Sequence, residues 1–302
     1  MAIPIIIDTD PGIDDAAAIS IALTHPDLDL RMITTVHGNV NIHKTTSNAL
    51  QLKAFFNSDV PIHQGVATPL INQPVDAEHV HGETGMAGFE FPEADYDLLT
   101  SDKAVEAMKE TLLNSDEPIT LVPIGPLTNI ALLLRTYPEV SRQIKEIVLM
   151  GGSAGRGNVT PAAEFNIYCD PEAADIVFNS HIPITMVGLD VARGASLTYE
   201  AINKLQEKNQ TSHMLYHMFN HYRGDQFGDG IAVYDAYTIL YLLYPEKFSV
   251  ADANVKIELT GTYTKGETVV NFDEETTNAK VVLSVDKSQF ITMFFEALSY
   301  AK

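Results

Sequence analysis

Short runs of apolar, largely β-branched residues alternate through most of the chain with longer segments in which apolar residues return every three or four positions. The runs at 3–7, 28–36, 60–62, 119–123, 144–150 and 184–187 have the length and composition of strands covered on both faces. The segments at 15–23, 44–56, 102–113 and 171–178, and one ending near 134, carry the helical period, with Pro171 at a favoured early position. This is the βαβ rhythm of a parallel sheet, and it predicts an α/β fold with flanking helices. From 198 onward the pattern turns mainly helical. Met214, Leu215, Met218, Phe219 and Tyr222 form one stripe of a helix over 211–222, and helices are also predicted at 235–244 and 288–300. Strands at 255–259 and 280–285 and a hairpin-like passage at 261–270 complete the pattern. No repeat, low-complexity tract or linker calls for a second domain, so 1–302 is expected to form one.

The polar residues gather where the pattern breaks. The first run ends in Asp8-Thr9-Asp10-Pro11-Gly12-Ile13-Asp14-Asp15, so a buried strand delivers four carboxylates to one place. Asp14 and Asp15 also meet the positive end of the helix that follows. A solvated turn capping that helix accounts for an isolated cluster of this kind. At the carboxyl end of a buried strand, where open α/β sheets bind ligands, mutual repulsion calls for a cation among the acids. Oxygen-only donors suit Ca²⁺ or Mg²⁺. Asn39 reaches a second strand end in the same way. The aperiodic stretch 65–97 contains His79 and His81, beside Gly82, and a connection of that length in a compact domain is functional or disordered.

Further along, Gly151-Gly152-Ser153-Ala154-Gly155 follows a strand, but no Gly-Lys-Ser/Thr completes a phosphate cradle. Close backbone approach to a neutral ligand is the preferred reading. Glu164 and Asn166 alternate with apolar neighbours and, in an extended segment, project together. His213, His217 and His221 recur every four residues, either lining a surface or gripping zinc. Gly224 to Gly230 reads as a flexible stretch, after which Asp235 opens a helix, as a cap or as a site residue.

Charge and cysteine content narrow the function classes. With 19 basic and 40 acidic residues the formal charge is -21, which repels phosphate backbones and anionic membranes. Nucleic acid and membrane are not expected as partners, whereas a neutral nucleoside is compatible. The single cysteine, Cys169, forms no internal disulfide and reads as a buried small hydrophobe. Without a basic, signal-like N-terminal region, a cytoplasmic location is the expectation.

The run Asp8-Thr9-Asp10-Pro11-Gly12-Ile13-Asp14-Asp15-Ala16 closely resembles the signature of the inosine-uridine preferring nucleoside hydrolases. Gly38-Asn39, His81-Gly82, Gly125-Pro126-Leu127-Thr128-Asn129, Met150-Gly151-Gly152, Asn158, Glu164-Phe165-Asn166 and Asp235 extend the resemblance through most of the chain. It implies a Rossmann-like, single-domain fold, a tightly bound Ca²⁺, hydrolysis of ribonucleosides to ribose and base in nucleoside salvage, and assembly as a homodimer or homotetramer. Position by position, Asp10, Asp15, Asp235 and the Ile124 carbonyl resemble the calcium ligands. Asp10 also matches the general base that takes a proton from the attacking water. Asp14, Asn39, Asn158, Glu164 and Asn166 match groups that hold the ribose, with Met150 beside them. His81 matches a histidine near the 5′ side of the sugar and the base, and Tyr222 an aromatic residue that approaches the base. Where many members carry a histidine associated with protonating the leaving base, this chain has Tyr234, which is expected to orient or hydrogen-bond the base, with His81 or Tyr222 sharing any proton delivery, the alternative being that it only packs. Two competing functions follow from these residues: a non-catalytic nucleoside or ribose sensor that retains the calcium pocket, and a Mg²⁺-dependent phosphatase. The second lacks a positioned lysine and phosphate-binding donors.

Overall fold

A computed structural model describes residues 2–302, apart from the Phe227 side chain. The strands are β1 Ile3–Thr9, β2 Leu28–Thr35, β3 Ile62–Gln64, β4 Ile119–Pro123, β5 Ile144–Met150, β6 Ile184–Val187, β7 Leu197–Thr198, β8 Gln226–Phe227, β9 Gly230–Ile231, β10 Phe248–Ile257, β11 Thr268–Asn271 and β12 Ala279–Val285. The helices are α1 Ile13–Thr24, α2 Ile42–Phe56, α3 Glu78–His81, α4 Ala104–Leu113, α5 Thr128–Thr136, α6 Phe165–Cys169, α7 Pro171–Phe178, α8 Tyr199–Leu205, α9 Gln210–His221, α10 Tyr234–Leu243 and α11 Lys287–Leu298.

Nine strands form one sheet in the order β11-β10-β12-β6-β5-β4-β1-β2-β3. Seven of them, from β12 to β3, run parallel, and β10 and β11 add an antiparallel edge. Successive residues of β1 serve opposite faces: Ile5 and Ile7 enter one apolar core and Ile6 the other. Both faces are therefore covered, which is why the strand reads as a continuous apolar run. The order β3-β2-β1-β4-β5-β6 is that of a doubly wound sheet, with its topological switch between β1 and β4. The chain leaves β1 toward one edge and later returns to the other side of it. A crevice opens at that point beyond the carboxyl ends of the two strands, where Asp10 and Ile124 stand.

Local signals fix the helices beside the crevice. The Asn41 side chain caps α2 by accepting from the N–H groups of His43 and Lys44, and Asp170 caps α7 ahead of Pro171. Buried helix α1 packs against α9 and α10, which sets the Asp15 and Asp235 ends of two helices side by side. Three expectations are corrected. The third strand is Ile62–Gln64 rather than 60–62, because Pro61 lacks the N–H a ladder needs. Glu164 and Asn166 stand at the start of short helix α6 rather than in an extended segment. The stretch 224–230 is part of a small three-stranded sheet, in the order β7-β9-β8. Among the described residues, no helix is long and apolar enough to cross a membrane.

Candidate active site

The turn from β1 into α1 sets the floor of the crevice. Asp15 is held from several sides: Thr9 Oγ1 donates to its Oδ1 at 2.6 Å, and Gly12 N–H and Asn39 Nδ2 donate to Oδ2 at 2.8 and 3.1 Å. Asp10 Oδ2 accepts from Asn39 N–H at 2.7 Å, while its Oδ1 is buried without a hydrogen-bond partner. Gly38 lies over this carboxylate, and a Cβ there would sit 2.0 Å from Asp10 Oδ2, so only glycine lets the second strand end approach the first. Carboxylate oxygens of Asp14, Asp15 and Asp235 lie within 4.8 Å of one another, all buried. This group contains Asp14, whereas the resemblance placed Asp10 with Asp15 and Asp235 around the ion; Asp10 stands beside the trio with its orphan oxygen.

Such crowding is costly without a counter-charge. Burial and the neighbouring Asp15 push Asp14 up to about 8, and burial with repulsion from Asp15 holds Asp10 and Asp235 well above the carboxylate range. Burial raises Asp15 too, against its hydrogen bonds. Among the described residues His81 is the one basic side chain near enough to pair with these acids, its Nδ1 lying 3.9 Å from Asp14 Oδ1. That nitrogen already accepts the Ile13 N–H at 3.1 Å. The ring is therefore neutral with its hydrogen on Nε2, in keeping with burial lowering its pKa to about 3. An orphaned buried carboxylate oxygen, four crowded acids and a set of oxygen donors fit a hard divalent cation. A softer ion would want imidazole or thiolate.

Above this floor is a cavity lined by Asp14, Asn39, His81, Ile124, Met150 and Asn166, with Glu164, Asn158, Tyr222, Tyr234 and Asp235 completing its wall. The sequence-predicted site residues therefore converge on one place, with Asp10 and Asp15 just beneath the lining. Two amides face it alike. Asn39 Nδ2 donates to the Asp10 carbonyl and to Asp15, and Asn166 Nδ2 to the carbonyls of Ile124 and Met150. Their hydrogens point inward, so each has its Oδ1 left for a ligand. Glu164 caps α6 with Oε1 on Asn166 N–H and Oε2 on the N–H groups of Gly152 and Ile167, and burial raises it to about 7. Asn158 is exposed at the rim, its Oδ1 accepting from Phe165 N–H. Tyr222, buried at the end of α9, meets the His81 ring edge-on with centroids 5.5 Å apart.

Sequence reasoning missed Asp225, which lines the cavity and accepts from the Tyr234 hydroxyl at 2.6 Å. Nothing in its flexible, glycine-flanked surroundings signals that contact. His213, His217 and His221 do not reach the cavity lining.

Comparison with known proteins agrees with the residues assembled here. The family model described as inosine-uridine preferring nucleoside hydrolase matches residues 5–292. A non-specific ribonucleoside hydrolase RihC of Salmonella newport (strain SL254) is 50% identical over 300 residues, covering 98% of each chain. Among solved structures, an inosine-guanosine nucleoside hydrolase superposes with a TM-score of 0.90 at 29% identity over 99% of both chains. A purine-preferring ribonucleoside hydrolase from Gardnerella vaginalis does so with a TM-score of 0.89, at 29% identity over 98% of both chains. With a doubly wound sheet, an acid-floored cavity at its switch point and a family match along nearly the whole chain, this protein belongs to the inosine-uridine preferring nucleoside hydrolases, hydrolases that act on N-glycosyl compounds.

Proposed function

We propose that this enzyme hydrolyses the N-glycosidic bond of ribonucleosides to ribose and free base in nucleoside salvage, with Ca²⁺ as its resident ion. The observation that carries this reading is a floor of four buried carboxylates without a cationic partner, beneath a wall rich in neutral amides and aromatic rings. Such a site suits a neutral, hydroxyl-rich ligand with an apolar, planar end. A phosphatase would need cationic donors aimed at the ligand; Arg223 is the one lysine or arginine on the cavity wall among the described residues, and its guanidinium donates to the Asn220 and Tyr222 carbonyls.

In this reading Asp10, Asp15, Asp235 and the Ile124 carbonyl hold the ion, with Asp14 against them. An ion bound there would lower the cost of deprotonating a water and supply positive charge toward the sugar hydroxyls. Asp10 is the base. Its Oδ2 is fixed by Asn39 N–H, so the free Oδ1 is the oxygen that receives a proton. Departure of the base leaves positive charge on the sugar ring, and the carboxylates of Asp10 and Asp14 stabilise it. Asn39 and Asn166 accept from ribose hydroxyls through Oδ1, and Glu164, Asn158 and Met150 form the remaining sugar wall. His81, with its hydrogen on Nε2, is the donor toward the leaving base, held in plane by Ile13 N–H and by the Tyr222 ring. A cytoplasmic homodimer or homotetramer belongs to the same proposal, on the family resemblance.

Incubation with inosine and uridine, with assay of free ribose, tests the activity. Release that stops on chelation and returns with Ca²⁺ supports the reading. Binding without ribose release would reduce the protein to a sensor, and zinc in the purified protein would overturn the metal assignment.

Metal removal also has a stability signature. A carboxyl raised above its unfolded value binds its proton more tightly in the native state, so it favours folding below that range and opposes it as pH rises. With Asp14 at about 8 and Asp10 and Asp235 also held well above the carboxylate range, the stripped protein loses stability as pH rises from about 4 through 8. Thermal melts of chelated protein are expected to fall by at least about 5 °C between pH 5 and pH 8. Added Ca²⁺ restores the melt at pH 8 and does little at pH 5, where protons occupy its ligands. A flat profile would contradict this account.

A further inference from the structure

We propose that Asp225 is a positioning residue that makes Tyr234 a hydrogen-bond acceptor toward the nucleobase, so that the site favours bases with an exocyclic amino group over their carbonyl counterparts. This rests on the reading of the cavity as a nucleoside site.

Tyr234 opens α10 directly before Asp235, and it and Asp225 line the same cavity. Its hydroxyl donates to Asp225 Oδ2 at 2.6 Å. A phenol has one hydrogen, and when a carboxylate takes it the oxygen meets any further neighbour with lone pairs alone. The bond is charge-assisted, so a neutral carbonyl on the base is a poor competitor for that hydrogen.

The acceptor is also held in place. Arg223 N–H donates to the Val80 carbonyl at 3.0 Å, and Ala232 N–H to the Asp225 carbonyl at 3.0 Å. Between them, Gly224 lies so close to Tyr222 that a Cβ would sit 2.2 Å from the phenol oxygen. Residues 223–225 are thereby pressed onto the cavity wall, and the carboxylate is delivered to Tyr234 by the backbone.

Adenosine differs from inosine, and cytidine from uridine, by an amino group where the partner has a carbonyl. An accepting Tyr234 pairs with the amino hydrogen and meets the carbonyl lone pair to lone pair, an unpaired contact that costs binding in a buried site. The position otherwise associated with proton delivery to the leaving base becomes, in this chain, a reader of the base.

The test is the ratio of kcat/KM for adenosine against inosine and for cytidine against uridine, each pair measured in a single preparation. Such a ratio does not depend on the fraction of enzyme that is folded. Asp225→Ala frees the phenol hydrogen, and both ratios are expected to move toward the carbonyl base by about tenfold or more. Asp225→Asn retains a carbonyl acceptor and is expected to keep most of the parental ratio, a rescue that a merely structural role for Asp225 does not give. In a Tyr234→Phe background, Asp225→Ala is expected to change neither ratio further. If the parent hydrolyses all four nucleosides and Asp225→Ala leaves both ratios within about twofold of its values, the inference is wrong. If the parent releases ribose from none of the four, the nucleoside reading itself falls, and the inference with it.

Discussion

Replacing Asp10 by alanine is expected to lower kcat on inosine by at least about 10⁴-fold, because in the proposed mechanism one side chain serves both as an ion ligand and as the proton acceptor. The geometry sharpens the expectation. The two oxygens of Asp10 are differently placed: Oδ2 is tied to Asn39 N–H and Oδ1 is buried without a partner. Asp10→Asn keeps the shape but removes a negative charge and the proton-accepting oxygen. It is expected to fall nearly as far, with weaker Ca²⁺ binding. Initial rates at saturating Ca²⁺, read beside calorimetric titration of the ion, check both statements. A variant within about tenfold of the parent would remove Asp10 from the role of base.

The second large effect concerns the sugar. In the proposed complex, removing the 2′-hydroxyl would leave the ion and a sugar-facing amide without a partner. 2′-Deoxyinosine and 2′-deoxyuridine are therefore expected to react with kcat/KM about 10³-fold or more below the ribonucleosides. The discrimination belongs to the transition state as well as to binding, because the same contacts orient the anomeric carbon. Equal rates for uridine and deoxyuridine would show that the hydroxyl contacts are not made.

The sheet was legible because its parallel strands are buried on both faces, so that Ile5, Ile6 and Ile7 announce a strand whichever face each serves. The acids were legible because strand ends concentrate polar residues where periodicity stops. Other features depend on neighbours distant in sequence. Glutamate is an uncommon helix cap, and only the approach of Gly152 to Glu164 explains its use before α6. The strands at 226–227 and 230–231 are two residues long, below any detectable period, and exist because they pair with each other and the second also pairs with Leu197–Thr198. The His81 tautomer is set by Ile13 N–H, and the Tyr234 hydrogen bond by a residue in the loop before β8. The resemblance named both side chains but carried no information about which way their hydrogens point.

The donors around the proposed ion come from the β1–α1 turn, the end of β4 and the start of α10, at positions 10–15, 124 and 235. No local segment carries a complete set. β1 must first pair with β4, as Asp8 does with Pro123, and α10 must dock on α1. Each step closes a long loop before the next donor arrives. An ion cannot nucleate this fold, because the unfinished chain offers it isolated carboxylates no better than those of any acidic surface. In the proposed calcium-bound enzyme the ion is thus a late guest. It leaves the rate of folding alone, and by binding only the completed arrangement it slows the return to the unfolded chain, acting as a clasp on the native state.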